Sequence, residues 1–97
     1  MKVADLQPRQ GKVNLIVKVD DKGEIKEFDK YGKKGKVCKA SVSDDTGKIT
    51  LTLWDQDTKR IDKGDWLHIK NGYVSEYKGE KQLSSGKFGT IEKLDED

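Results

Sequence analysis

From Val13 onward, apolar residues recur at every second position: Val13, Leu15, Val17 and Val19 alternate with Asn14, Ile16 and Lys18. Successive side chains of a strand point to opposite faces, so this β-branched run predicts a strand buried on one face and partly on both. The alternation returns after Gly35, with Cys38, Ala40 and Val42 on one face and Lys39 and Ser41 on the other. Asp44-Asp45-Thr46-Gly47 follows, where side chains that bond their own backbone precede a glycine free to take positive φ. That turn feeds a third run, in which Ile49, Leu51 and Leu53 face one way and Thr50, Thr52 and Trp54 the other. The two runs and their turn predict a hairpin with a tryptophan on the face away from the core. As a lid folded over the strand end, Trp54 would be structural; as an outward ring, it would be a contact surface.

Gly64-Asp65 is a second turn signal, and Trp66 to Tyr77 reads as a long strand, with Leu67 and Ile69 alternating until Asn71-Gly72. Glycine within a strand marks a bulge or bend where the pattern changes face. Beyond it Tyr73, Ser75 and Tyr77 share one face and Val74 and Glu76 the other. Lys78-Gly79-Glu80 is a tight connection, Lys81 to Ser84 a short strand, Ser85-Gly86-Lys87 a turn and Thr90 to Leu94 a last strand segment. Elsewhere the pattern is weaker. Glu24 to Lys34, with Ile25, Phe28 and Tyr31 three apart, fits either a hairpin arm or a loop. Asp55 to Ile61 has room for two helical turns at most, capped by Asp55 or Asp57. Met1 to Gln10 reads as an arm. The expectation is an all-β, antiparallel, five-stranded sheet with little helix, closed into a small barrel because closure removes exposed edges. An SH3-like barrel or half-sandwich is the rival.

Composition narrows the class. A chain of 97 residues predicts one domain, residues 1–97, with one modest core. Hydrophobic content of 32% beside 39% charged residues approaches the range of disordered chains, but a net charge of +2 and periodic apolar positions argue for a folded protein. A single cysteine leaves no internal disulfide and no cysteine-based zinc site, and no cofactor is implied. The N-terminus lacks the apolar run of a signal peptide, and no stretch approaches the ~20 apolar residues that span a membrane, so a cytoplasmic, nucleoid-associated location and no membrane partner are expected. Charge is more telling locally. Five lysines and no acid lie between Lys30 and Ser43, five acids lie between Asp20 and Asp29, and Asp95-Glu96-Asp97 makes an acidic tail. A lysine run is commonly a solvated loop; the sharper reading is a footprint for a polyanion.

No catalytic constellation emerges. His68 sits in an alternating strand, Cys38 alternates with Ala40 and Val42 as a small core residue, and the carboxylates cluster in turns. What stands out is an aromatic set, Trp54, Tyr73 and Tyr77, each on the non-core face of its strand, with Lys33, Lys34, Lys36, Lys39, Lys78 and Lys87 as candidate phosphate contacts. Single-stranded nucleic acid is gripped by this combination, since unpaired bases stack on π-faces at about 1–3 kcal/mol each while cations follow the phosphates. The plain alternative for the two tyrosines is cross-strand packing at the barrel mouth.

The run Val13-Asn14-Leu15-Ile16-Val17-Lys18-Val19, the turn Asp44-Asp45-Thr46-Gly47 with Trp54 seven residues after its glycine, and Asn71-Gly72-Tyr73-Val74-Ser75-Glu76-Tyr77-Lys78-Gly79 resemble the OB-fold domains of archaeal replication protein A and the simple single-stranded DNA-binding proteins related to it. The resemblance covers nearly the whole chain. It implies a Greek-key OB barrel, non-catalytic binding of single-stranded DNA in replication, repair or recombination, and Trp54, Tyr73 and Tyr77 as the stacking residues. Some relatives carry a further aromatic near Ser84; here Phe88 is the candidate to substitute. Trp66, where relatives place an aliphatic, reads as packing. Implied partners are single-stranded DNA or RNA and other OB domains or subunits of a replication protein A complex. The alternatives are an OB domain serving protein assembly and an RNA-binding, anticodon-type OB domain.

Overall fold

The computed structural model describes residues 1–55, 57–85 and 89–94, so the acidic tail lies outside the described residues. A 3-10 helix, Val3–Asp5, precedes strands β1 (Val13–Lys22), β2 (Lys26–Lys30), β3 (Lys33–Asp44) and β4 (Gly47–Trp54), a short helix α1 (Asp57–Arg60), and strands β5 (Trp66–Tyr77), β6 (Glu80–Ser84) and β7 (Thr90–Leu94).

Strand pairing closes on itself. β1 pairs with β3, β3 with β4, β4 with β6, β6 with β5, and β5 returns to β1. Five strands make this ring; β2 extends β3 as a hairpin and β7 lies along β5. The expectation of an antiparallel sheet needs one correction, because β4 and β6 run parallel. Neighbours in a ring cannot all be antiparallel when the number of strands is odd, so a closed five-stranded ring must contain a parallel pair.

The inward faces follow the alternation. Ala40, Leu51, Leu83 and Val74 lie in one register row across β3, β4, β6 and β5, and all four are buried. In β5 the buried positions switch from Leu67 and Ile69 to Gly72 and Val74. The switch falls at Asn71, whose φ is 55°, and at a shift in the β1–β5 register. Gly72 is held there by crowding, since an added Cβ would come within 2.9 Å of the Ile69 methyl and 3.1 Å of the Ser84 carbonyl.

Glu24 to Lys34 resolves as a hairpin arm. Tyr31 and Gly32, with φ of 54° and 76°, form the two-residue turn between β2 and β3 that matches right-handed strand twist. The N-terminal arm is tied down at both ends. Val3 N–H donates to Asp44 Oδ2 at 2.9 Å and Ala4 N–H to Thr46 Oγ1 at 3.0 Å, while Arg9 and Gln10 exchange backbone bonds with Val74 and Leu6 is fully buried. The Asp44-Asp45-Thr46-Gly47 turn thus holds the arm as well as the hairpin. Burial pushes the Asp44 carboxyl up, but the Thr46 hydroxyl and the amides of Val3, Thr46 and Gly47 outweigh it and hold the group below its ordinary value of 3.8.

Candidate nucleic-acid interface

The same register fixes the outer face. Lys39, Thr52, Ser84 and Tyr73 form one outward row across β3, β4, β6 and β5, and Ser41, Thr50, Gln82 and Ser75 form the next. Trp54 stands one step beyond Thr52, opposite Val37, and Tyr77 pairs with Glu80 at the far end of β5. Tyr73 is therefore two strands from Trp54, roughly 10 Å across the sheet, and Tyr77 lies roughly 13 Å further along β5. Between the rings these rows carry threonine, serine and glutamine, with Lys39 at the β3 end.

All three aromatics stay open. Trp54 is 45% exposed, Tyr73 41% and Tyr77 60%, so Trp54 is no core lid. The Tyr73 ring rests near Gly11, where an added Cβ would be 3.9 Å from Cδ2. The Lys78 ammonium lies over the Tyr77 ring, 5.4 Å from its centre.

The expected lysines do not act as one edge. Register and alternation put Lys33 and Lys39 on the side of Trp54, and Lys34 and Lys36 on the other side of the hairpin. The stretch without acids in sequence is also not free of acids in space, because Glu27 pairs opposite Lys36 and Asp29 opposite Lys34. Even so, among the described residues none of Lys33, Lys34, Lys36, Lys39 and Lys78 takes part in an ion pair, whereas Lys2, Lys22, Arg60, Lys70 and Lys93 each do. Lys87 and Phe88 lie outside the described residues.

Two side chains at the β2–β3 hairpin were not anticipated. Phe28 of β2 lies over Gly35 of β3, where an added Cβ would collide with its ring, and meets Trp54 edge-on at 5.9 Å with an interplanar angle of 87°. Lys59 of α1 comes close to Lys36, whose amine, through hydrogen bonding and repulsion, holds Lys59 below the ordinary lysine value of 10.5. His68 is half-buried and paired to Ile16 and Glu92, Cys38 is buried, and among the described residues no cluster of metal-ligating side chains forms. No helix among the described residues is long and apolar enough to cross a membrane.

Residues 17–91 match the family profile described as the OB-fold nucleic acid binding domain, which carries the name of the tRNA anticodon module. The chain is 31% identical over 96 residues to the single-stranded DNA binding protein Ssb of Saccharolobus solfataricus, covering 99% of this chain and 65% of that protein. It is 36% identical over 77 residues to replication factor A of Methanothermobacter thermautotrophicus, covering 76% of this chain and 10% of that one. The chain thus spans about two thirds of the first relative and a tenth of the second. Among solved structures, the second OB-fold domain of replication protein A from Methanococcus maripaludis superposes with a TM-score of 0.79 at 26% identity, over 100% of this chain and 96% of that domain.

Proposed function

The chain belongs to the OB-fold nucleic acid binding domain family, and from that premise we propose that it binds single-stranded DNA without catalysis, by stacking bases on Trp54, Tyr73 and Tyr77 while lysines follow the phosphates. One observation carries this reading. Three exposed rings on β4 and β5 flank polar rows that cross β3, β4, β6 and β5, beside lysines that no ion pair neutralises among the described residues. Lys33, Lys39 and Lys78 are the first phosphate contacts, with Lys34 and Lys36 reached around the hairpin. Stacking accepts any base, so mixed sequence and oligo-dT bind within about tenfold. The setting is replication, repair or recombination at the nucleoid, with other OB domains or replication protein A subunits as partners; the two archaeal relatives, a single-stranded DNA binding protein and a replication factor A, support the DNA-binding part of this reading.

The same rings would serve RNA, which the anticodon name of the matched profile favours as a second reading. Parallel titrations with oligo-dT, oligo-rU and duplex DNA separate the possibilities. Tightest binding to oligo-dT is expected, with a log–log salt slope of about −2 to −3 for three or four phosphates. Preference for oligo-rU would select the RNA reading, preference for duplex would contradict both, and no binding at all would leave an assembly role.

A further inference from the structure

A cavity of about 530 Å³ lies between the β2–β3 hairpin and α1, within the size range of small-ligand sites. Register and alternation put Glu27, Asp29, Lys34 and Lys36 on the side of the hairpin away from Trp54, and all four line the cavity together with Asp55 and Lys59. Lys59 enters from α1 and comes within hydrogen-bonding reach of the Lys36 amine.

The scaffold fixes this meeting of two like charges. Asp55 Oδ1 accepts from Lys36 N–H at 3.2 Å, and Asp55 N–H donates to the Lys36 carbonyl at 2.8 Å. The Asp55 carbonyl in turn accepts from the N–H of Thr58 at 3.1 Å and from its hydroxyl, and Thr58 is fully buried. Arg60 ties the other end of α1 to the Ile91 carbonyl at 2.6 Å. Lys59 thus stands between two anchored residues, and its backbone cannot retreat from Lys36. The two amines stay together most easily when one gives up its proton and the other, still charged, donates to the free nitrogen. Lys59 is the one that yields, since Lys36 holds it below the ordinary value of 10.5 and Glu27 opposes this only weakly. A neutral amine is a nucleophile, and an ammonium is not.

We propose that Lys59 is a site of covalent acylation, taking an acyl group from an acyl phosphate whose phosphate is held by Lys36 and Lys34. The phosphate takes over the Lys36 ammonium and releases the Lys59 lone pair, which attacks the acyl carbon. The bond from that carbon to the phosphate oxygen breaks, inorganic phosphate leaves, and the proton displaced from the amine passes to water. The amide formed is uncharged, so the repulsion ends and Lys36 keeps Glu27 opposite it. Neither Trp54 nor the two outer tyrosines take part, so the site stands apart from the stacking surface.

Brief treatment of the intact chain with acetyl phosphate near neutral pH, followed by peptide mapping in a mass spectrometer, gives the rate at each lysine. Lys59 should be acetylated several times faster than Lys12 and Lys63, which are exposed and take no ion pair among the described residues. Lys36→Gln retains the backbone bonds to Asp55 and should bring Lys59 down to the rate of Lys63. Lys36→Arg keeps the charge and should preserve the advantage. Equal rates at Lys59 and Lys63 in the unaltered chain would overturn the site, and so would an advantage at Lys59 that survives Lys36→Gln.

Discussion

Two outer surfaces of this ring carry nearly the same residue types and differ in how those residues are used. On the β1–β5–β7 side, Trp66 is half-buried beneath the Lys18 ammonium, 5.9 Å from its ring centre, and pairs opposite Lys18 and Leu94. Lys70 meets Glu92 at 3.1 Å. On the β3–β4–β6–β5 side, Trp54 keeps nearly half its surface open, its aromatic neighbours are exposed, and the lysines beside it take no ion pair among the described residues. Both surfaces have a tryptophan and several lysines. On the first side the tryptophan lies under a cation and Lys70 is ion-paired; on the second the lysines take no ion pair among the described residues, a difference that pairing reveals and composition does not.

Substitution should break this symmetry. The largest effect on binding is expected from Trp54→Ala, which should cost about 1–3 kcal/mol of affinity for oligo-dT while the melting temperature barely moves. Trp66→Ala should do the reverse, reducing stability by about 1–2 kcal/mol because the buried part of the ring and its Lys18 partner no longer meet, with affinity unchanged. Paired titration and thermal melts of both variants check this, and equal effects on the two quantities would erase the distinction. Next comes charge. Lys33→Gln with Lys39→Gln should flatten the salt slope by about 0.7 for each phosphate that is no longer neutralised, whereas Lys70→Gln with Lys93→Gln should leave the slope alone and shift stability by at most about 1 kcal/mol.

The smallest effect concerns the turn between β3 and β4, which also holds the N-terminal arm. Because the folded Asp44 carboxyl titrates below its ordinary value, its stabilisation is complete above that value of 3.8 and is lost as pH falls through the lower, folded one. Asp44→Asn should therefore cost about 1 kcal/mol at neutral pH and make the acid limb of the stability profile shallower, without altering quenching by oligo-dT. An acid limb as steep as wild type would show that the turn is held by other groups.

Much of this was legible in the sequence, for identifiable reasons. Period-two alternation in β1, β3 and β4 assigned Leu51 inward and Trp54 outward, and Asn71-Gly72 marked the place where β5 changes face, because a pleated strand has only two faces. The parallel β4–β6 pair was not legible from connections, since it follows from closing an odd ring, a property of the whole sheet. The lysine run misled for a related reason. Linear order put Lys34 and Lys36 together with Lys33, but alternation separates them, and the β2–β3 hairpin lays Glu27 and Asp29 alongside. Phe28 and Lys59 were missed as well. Had the Tyr31-Gly32 turn been recognised, its two-residue register would have placed Phe28 opposite Gly35 and led to Trp54. Lys59 left no comparable signal, because its approach to Lys36 depends on where α1 docks.

The central claim is that Trp54 faces the bases and Trp66 does not, and fluorescence quenching tests it most directly. On addition of oligo-dT, Trp54→Phe should lose most of the quenching while binding weakens only in part, since phenylalanine still offers a π-face; Trp66→Phe should keep the quenching and shift the melting temperature. If Trp66→Phe abolished the quenching and Trp54→Phe preserved it, the faces would be wrongly assigned and the binding surface built on them would be contradicted.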